Sequence, residues 1–316
     1  MIVTDPHEAT DVIASGSLCA IPTETVYGLA ADASNPDSVA HVFAAKGRPT
    51  NHPLIVHVAS LDEAMLWIRE LPQWAIDLAR VCWPGPLTLV GPRTTRATDH
   101  ITGGQDTVAV RVPAHSLTLK MLNELSLRDI HGVVAPSANR FGHVSPTSAQ
   151  HVAADLGDYL TAHDGAILDG GPCDVGVEST IVLATGDQPV ILRPGGITRK
   201  TITDITGLPV AEQGTDAPRV SGALASHYSP KASVQLINAE IVASLTTGGL
   251  IAFREISTPV GVTRLAAPAT IEEFANSLYA ALRSADEQHL DVIYVVTPQD
   301  EGLAEAVRDR LGRAAY

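Results

Sequence analysis

Short polar segments that follow apolar runs hold most of the residues in this chain that could do chemistry. In the first segment, Thr23, Glu24 and Thr25 come directly after an apolar run at residues 18–21. Hydroxyl groups at the carboxyl end of a strand can line a ligand crevice in an α/β fold. A polar turn explains the same residues equally well, so this segment by itself indicates no function.

The second segment gathers two cations at the end of a predicted helix. Lys46 and Arg48 flank a glycine, and the helix macrodipole by itself favours positive charge there. The alternative is phosphate binding, in which Arg48 would use its bidentate guanidinium group. His52 and His57 follow closely, but no acidic residue or Cys accompanies them, which argues against a zinc site.

The third segment places a charged side chain on a predicted strand. Arg111 projects from the same strand face as Thr107 and Ala109, because side chains alternate along a strand. A buried Arg needs a partner. That partner could be a ligand carboxylate, which suits the guanidinium fork, or a structural Asp or Glu.

Two further segments carry hydroxyl and amide groups beside predicted strands. Ser137 and Asn139 follow one apolar run, with Ser145 shortly beyond, and Ser179 precedes a run that leads towards Arg193. Each segment could be a capping or turn motif. Neither Ser137 nor Ser179 lies in a GxSxG motif, and the sequence has no HExxH motif or P-loop, so none of those mechanisms is supported.

The five segments together offer hydroxyls and a few cations but hardly any acid–base pair. That inventory suits an anionic small molecule held by orientation and charge stabilisation, and phosphoryl or nucleotidyl transfer needs little more from a protein. The residues therefore predict a nucleotide or phosphate site and leave its substrate open.

The charge balance limits the class of ligand further. The 316 residues include 21 Lys and Arg against 35 Asp and Glu, a formal net charge of −14, with 45% hydrophobic residues. Residues 1–232 contain 15 basic and 24 acidic side chains, and residues 233–316 contain 6 and 11. An acidic globular chain repels polyphosphates at long range, which argues against a general nucleic-acid binder.

Cysteine use and hydropathy predict a cytoplasmic protein. The three cysteines, Cys19, Cys82 and Cys173, form no CxxC pair, as expected in a reducing compartment. The amino terminus resembles no signal peptide. No stretch approaches the roughly 20 apolar residues of a membrane helix, so no membrane partner is expected.

The patterns around these segments predict the elements that must position them. Asp5 begins one helix, a second runs from Asn35 to Gly47, and Ser60 with Glu63 forms a capping box. Strands are predicted at residues 18–21, 54–58, 87–90, 108–112, 133–135, 166–169, 180–183 and 190–192. Several follow each other with no helix between them, which indicates a mixed sheet.

The periodicity lapses near residue 207 and resumes near residue 233. We predict a catalytic domain over residues 1–207, a linker over 208–232, and a small doubly wound, Rossmann-like α/β domain over 233–316. In that last part, strands are predicted at 234–237, 250–253 and 292–296, and helices at 271–283 and 301–311. It has no GxGxxG turn, so it predicts no dinucleotide site.

These segments, in this order, closely resemble the YrdC family in its two-domain form, the threonylcarbamoyl-AMP synthases. The resemblance is carried by PTETVYGLA at residues 22–30, KGRPTNHPLIVH at 46–57, WPGPLT at 83–88, VAVRVP at 108–113, APSAN at 135–139, VEST at 177–180 and LRPG at 192–195. HYSP at residues 227–230 resembles the HYAP segment of the long form. The resemblance spans the chain and is weaker in the second domain.

The resemblance implies a twisted mixed sheet around a large concave cavity, and a nucleotidyltransferase activity. Such an enzyme makes threonylcarbamoyl-AMP from L-threonine, bicarbonate or CO2, and ATP, and releases pyrophosphate. The product would feed threonylcarbamoylation of the tRNA adenosine next to the anticodon, through downstream tRNA threonylcarbamoyl-transfer proteins. Mg²⁺ would arrive with ATP, and direct tRNA binding is not expected.

Carried over residue by residue, the resemblance implies two sets of contacts. The L-threonine pocket would comprise Thr25, His57, Arg111 on the carboxylate, Ala135 through its backbone, and Ser179. The ATP contacts would comprise Arg48, His52, Thr107, Ser137, Ser145, Arg193 and, from the linker, Tyr228, with Lys46 and Asn139 facing the phosphates. His52 stands where many members of the family have Asn, and it can still donate to a phosphate or ribose oxygen.

Two other functions remain as alternatives. An RNA-binding module would use the concave face directly, and it requires a basic face that neither acidic part of the chain indicates. Carbamoyl transfer, as in hydrogenase maturation proteins with a YrdC module, is disfavoured because their acylphosphatase and zinc-finger segments are missing.

Overall fold

A computed structural model describes residues 1–222 and 228–316. The strands of the first sheet are β1 (Ile2–Val3), β2 (Cys19–Ile21), β3 (Gly28–Asp32), β4 (Ile55–His57), β5 (Leu87–Pro92), β6 (Thr107–Arg111), β7 (Val133–Val134), β8 (Ala166–Leu168), β9 (Thr180–Leu183) and β10 (Val190–Arg193). Their spatial order is β1-β8-β2-β3-β7-β4-β6-β5-β9-β10. Strands β2 and β3 pair antiparallel whereas β4 and β6 pair parallel, which confirms the predicted mixed sheet.

Helices pack beside this sheet, and side-chain caps begin several of them. They are α1 (Pro6–Ala14), α2 (Pro36–Lys46), α3 (Leu61–Ala64), α4 (Gln73–Cys82), α5 (Asp99–Thr102), α6 (Ser116–Ser126), α7 (Ala149–Ala162) and α8 (Arg199–Thr206). The Asn35 side chain accepts hydrogen bonds from two backbone N–H groups of the first turn of α2, and Gly47 ends that helix at φ 62°. In α3, Ser60 accepts from the Glu63 N–H group as predicted, but the Glu63 carboxylate accepts from Ala59 N rather than Ser60 N.

The sequence patterns did not predict every element, and strand β3 and helix α6 are two examples. Strand β3 follows the polar first segment at once, and its residues are almost all buried, so it lacks the alternation that marks a half-exposed strand. Helix α6 begins with neither a capping side chain nor an acidic first turn, which removes the usual start signals.

The second sheet lies in the carboxyl-terminal part. Its strands are β11 (Ser233–Ile237), β12 (Gly249–Ile251), β13 (Thr263–Ala266) and β14 (Val292–Val296), all parallel in the order β11-β14-β12-β13. A 3₁₀ helix (Ala239–Ser244) and the helices α9 (Ile271–Glu287) and α10 (Leu303–Ala314) complete it. This confirms the predicted small α/β unit, in which both α-helices contribute buried apolar residues to a shared core.

The linker after α8 forms no helix or strand in its described residues 208–222 and 228–232. Its end is fixed by the Asp286 carboxylate in α9, which accepts hydrogen bonds from Lys231 N and Ala232 N. None of the helices in the described ranges has the length and hydropathy to cross a membrane.

Candidate active site

A pocket opens where several of the polar segments meet on one side of the first sheet. It is lined by Thr23, Thr25, Val26, Gly28, Arg48, Ile55, His57, Arg111, Ala135, Pro136, Ser137, Glu178, Ser179, Arg193, Ser221, Gly222 and Tyr228. His57 and Arg111 are register partners at the carboxyl ends of the parallel strands β4 and β6, so their side chains leave the sheet on the same face.

The pocket brings together nine of the fourteen residues predicted for it. Those nine are Thr25, Arg48, His57, Arg111, Ala135, Ser137, Ser179, Arg193 and Tyr228. Lys46, His52, Thr107, Asn139 and Ser145 lie outside its lining. Among the lining residues not predicted, Thr23 and Glu178 fall within the recognised segments, whereas Ser221 and Gly222 lie in the aperiodic linker, where no pattern marks them.

Arg111 has a structural acidic partner. Its Nη2 lies 2.7 Å from Oε1 of Glu24, and both residues are buried, although this pair of atoms is not aligned for a hydrogen bond. Its Nη1 donates to Thr25 Oγ1 at 2.9 Å, and its Nε donates to the Gly85 carbonyl at 3.3 Å. The ion pair fixes the guanidinium plane and leaves Nη2 with capacity for a better-aligned acceptor.

His57 beside it is uncharged. Burial, and then the charge of Arg111, lower the pKa of His57 to about 3. Nδ1 lies 3.2 Å from the Ile55 carbonyl oxygen, and because a carbonyl can only accept, Nδ1 carries the proton. Nε2 is therefore an acceptor, which suits a hydroxyl or amine donor rather than an anion.

Lys46 and Asn139 support the wall of the pocket from behind. Lys46 Nζ donates to the carbonyls of Ser137 and Asn139, both at 2.6 Å, and burial holds the pKa of Lys46 well below its usual range. Asn139 Nδ2 donates to the carbonyls of Arg140 and His143, both at 2.8 Å. These bonds fix the loop that presents Ser137 to the pocket.

Close backbone contact fixes the same loop on its other side. A Cβ atom on Gly28 would lie 3.0 Å from Cβ of Ala135. Any larger residue at position 28 would therefore push this loop away from β3. Leu29 N donates to the Pro136 carbonyl at 2.7 Å. The backbone of Ala135 is thereby held at the pocket with little freedom.

Arg193 and Ser179 form the opposite wall. The Nε and Nη2 atoms of Arg193 donate to the Ser179 carbonyl at 3.1 and 2.9 Å, and Nη2 also donates to Ser179 Oγ at 3.1 Å. Ser145 donates to Glu178 Oε1 at 2.6 Å, so its hydroxyl supports this wall from outside the pocket lining. Burial lowers the pKa of Arg193.

The linker closes the pocket by bonding to two of its cations. Arg48 Nη2 donates to Ser221 Oγ at 3.2 Å, and Arg193 Nη1 donates to the Ser221 carbonyl at 2.9 Å. A Cβ atom on Gly222 would lie 2.4 Å from the Tyr228 hydroxyl, so the two described ends of the linker touch over the pocket. The remaining free volume is about 50 Å³, far below the roughly 300 Å³ at which ligand pockets begin.

Two further predicted ATP contacts, Thr107 and His52, also lie outside the pocket lining. Thr107 lines a neighbouring recess that shares Ile55 and Ser221 with the pocket, so displacing Ser221 would join the two spaces. His52 packs its ring edge against Phe141, with the ring centroids 5.4 Å apart. His227, the first residue of the HYSP segment, lies outside the described residues.

Comparison with known proteins places the chain in a family. The family model described as "Telomere recombination" matches residues 11–195, and the one described as "Threonylcarbamoyl-AMP synthase, C-terminal domain" matches residues 197–316. The threonylcarbamoyl-AMP synthase of Pyrococcus abyssi is 40% identical, over 97% of this chain and 93% of its own length. This chain belongs to the threonylcarbamoyl-AMP synthase family. It is therefore an enzyme of the nucleotidyltransferase type.

Further members of the threonylcarbamoyl-AMP synthase family support the assignment over the whole chain. The Bacillus subtilis enzyme is 36% identical over 98% of this chain and 93% of its own length. A crystal structure described as P. abyssi Sua5 complexed with L-threonine superposes with a TM-score of 0.86 at 37% identity, and the match covers 100% of this chain and 97% of that one. The likeness therefore includes the linker region and the second domain.

The lowered pKa of His57 predicts a pH-dependent stability. Between pH 6.5 and 3 the unfolded chain binds the His57 proton and the folded chain does not, so stability falls as the pH falls. From pH 7.5 to 5 the wild type should lose about 2 kcal/mol more unfolding free energy than His57→Gln, measured by urea denaturation. His41→Gln, an exposed position on α2, should keep the wild-type slope, and equal slopes for all three proteins would contradict the burial argument.

Proposed function

We propose that the protein is an L-threonylcarbamoyladenylate synthase that converts L-threonine, bicarbonate or CO2, and ATP into threonylcarbamoyl-AMP and pyrophosphate. The product would supply threonylcarbamoylation of the tRNA adenosine next to the anticodon, in the cytoplasm. The observation that carries the proposal is the convergence of three buried arginines and several hydroxyls in one pocket, in a chain of this family.

The Arg111 side of the pocket suits the amino acid. A threonine carboxylate would give Arg111 Nη2 the aligned acceptor that Glu24 does not provide. The neutral His57 would accept from the substrate hydroxyl or amine, while Thr25, Ser179 and the Ala135 carbonyl complete the polar lining. L-Threonine bound in the crystal structure described as P. abyssi Sua5 is consistent with this assignment.

The Arg48 and Arg193 side suits the phosphates of ATP. Both guanidinium groups are bonded to neutral oxygens in the described residues, so their positive charge is available to an anion. Within residues 1–222 and 228–316, the buried Nε of Arg48 has no hydrogen-bond acceptor. Nucleotide entry would displace Ser221 and so join the pocket to the recess at Thr107. The remaining predicted contacts, His52, Ser137, Ser145 and Tyr228, would border or support this enlarged space.

Mg²⁺ would enter with the nucleotide. Across the described residues no three His, Cys, Asp or Glu side chains converge to hold a metal ion. Glu178, the acidic residue in the described pocket lining, is occupied by Ser145, Tyr279 and Arg310. The residues present therefore fit an ion held mainly by phosphate oxygens, which would screen charge on the leaving pyrophosphate.

The proposed reaction depends on alignment of the substrates more than on proton transfer by side chains. The unprotonated amine of threonine would attack CO2, so that an N–C bond forms and one amine proton passes to water, which leaves a carbamate. A carbamate oxygen would then attack the α-phosphorus of ATP in line. One P–O bond forms, and the bond to pyrophosphate breaks with its electron pair leaving on the pyrophosphate. Arg48 and Arg193 would stabilise the developing charge while the linker excludes water from the labile product.

Pyrophosphate release tests the proposal directly. Wild-type protein with Mg²⁺ and ATP should release pyrophosphate only when both L-threonine and bicarbonate are present, without any RNA. A requirement for RNA would favour an RNA-dependent function on the concave face, and release without threonine would contradict the proposed reaction. Carbamoyl phosphate in place of threonine and bicarbonate should give no turnover.

Arg111→Lys separates charge from geometry at the proposed carboxylate site. The lysine keeps a cation opposite Glu24 but loses the guanidinium fork. The threonine KM should rise roughly 10- to 100-fold, corresponding to loss of one or two charged hydrogen bonds, while the ATP KM stays within about twofold. Arg128→Lys, which changes an ion pair with Asp11 on the surface, is the matched control. An unchanged threonine KM in folded Arg111→Lys would refute the assignment.

Ser221→Ala tests whether the linker competes with ATP. The variant loses the hydroxyl that accepts from Arg48 and donates to the Pro53 carbonyl, so opening the pocket costs less. ATP with Mg²⁺ should bind roughly fivefold more tightly, as expected for about 1 kcal/mol, measured by titration calorimetry. Thr215→Ala, an exposed position in the same linker, should bind as the wild type does. Weaker or equal binding by Ser221→Ala would show that Ser221 does not compete.

A further inference from the structure

A buried charge cluster joins the second domain to the wall of the pocket. Glu178 lies at its centre, just before β9, and its Oε2 accepts from the Tyr279 hydroxyl of α9 and from Nε of Arg310 in α10, both at 2.8 Å. Its Oε1 accepts from Ser145. Burial alone would raise the pKa of Glu178, but the charges of Arg310 and Arg193 and the hydrogen bonds lower it to about 2.

Arg310 holds two segments of the first domain at once. Its side chain is fully buried, and beyond Glu178 it donates through Nη2 to the Pro194 carbonyl at 2.9 Å. Glu178 and Pro194 are the chain neighbours of Ser179 and Arg193, which line the pocket. The guanidinium fork from α10 therefore joins Glu178, just before β9, to Pro194, just after β10.

The segments around Glu178 and Pro194 are packed so closely that a small shift of either would move residues that line the pocket. A Cβ atom on Gly195 would lie 2.3 Å from Thr180 N and 2.4 Å from the Glu178 carbonyl oxygen. Ile197 N donates to Thr180 Oγ1 at 2.9 Å. Because the backbones touch here, a shift of either segment would displace the other, and with it Ser179 or Arg193.

The same cluster holds Tyr228, a linker residue that lines the pocket. The Tyr228 ring stacks on Tyr279, with centroids 5.5 Å apart, and the Arg310 guanidinium carbon lies 5.5 Å from the Tyr228 ring centroid. Tyr228 is held in a left-handed conformation at φ 62°, which for a bulky residue persists only where its surroundings determine it. Both contacts come from the second domain.

Attachment of the domains does not by itself require this cluster. Arg283 of α9 pairs with Asp155 of α7 at 2.7 Å, and Asn276 donates to the carbonyls of Cys173 and Asp174. A buried ion pair contributes less to stability than its contacts suggest, because both charges lose water. The cluster differs from these attachments because it includes Glu178, which lines the pocket, and Pro194, which adjoins Arg193.

We propose that Arg310 and Glu178 are positioning residues, through which the second domain holds Ser179, Arg193 and Tyr228 in the geometry that the pocket needs. The active site would then be incomplete without the second domain, although no atom of that domain lines the pocket in the described residues. This inference rests on the proposed function for what the pocket binds.

Arg310→Lys tests the proposal, because it keeps the charge and loses the fork. We expect faster hydrogen exchange at residues 178–180 and 193–197, and a kcat for pyrophosphate release that falls roughly 10- to 100-fold, as for a small misplacement of binding groups. Tyr279→Phe removes one hydrogen bond to Glu178 and should give a smaller loss in the same direction. Glu178→Gln serves as a second variant if Arg310→Lys does not fold.

Asp155→Asn is the matched control, since it breaks an ion pair between the same domains in which neither partner lines the pocket. It should lower the melting temperature while keeping kcat and the exchange pattern of the wild type. If Asp155→Asn lowers kcat as much as Arg310→Lys does, or if folded Arg310→Lys and Tyr279→Phe behave as wild type, the positioning role is wrong. A wild type that releases no pyrophosphate refutes the proposed function, and the exchange data still decide whether Arg310 holds the pocket wall.

Discussion

Burial of positive charge is the constraint on which this site depends. Arg48, Arg111 and Arg193 are each less than one-tenth exposed, so each guanidinium group has lost most of its water and needs acceptors. The fold supplies backbone carbonyls and hydroxyls, and for Arg111 also Glu24. Since neutral oxygens do not cancel the charge, Arg48 and Arg193 remain fixed in place and attractive to an anion.

The same constraint accounts for the linker and the second domain. Ser221 accepts from both Arg48 and Arg193, so the linker satisfies two cations in the positions that phosphates would take. Glu178, which lines the pocket, pairs with Arg310 of the second domain. The buried charges thus connect the pocket, its cover and the second domain in one network, in which a change at one member alters the hydrogen bonding of the next.

Much of the fold could be predicted from local signals. Asn35 and Gly47 bound α2 as predicted because capping depends on the side chain and backbone freedom of single residues. Apolar runs located eleven of the fourteen strands in the described residues to within a few residues. Strand β3 and helix α6 could not be found in this way, because β3 (GLAAD) consists mostly of Gly and Ala, which are poor strand formers, and α6 has no start signal.

The sequence by itself determined which residues could serve a phosphate site and, through the order of its motifs, the family. It also determined that positively charged residues are scarce, because the number of charged residues does not depend on how the chain folds. Only the tertiary structure decided which partner each buried charge takes. Glu24 lies far from Arg111 in the chain, and Glu178 meets Arg310 across 132 positions. Such pairings follow from how strands and helices pack, because contacts between distant residues leave no spacing pattern in a single sequence.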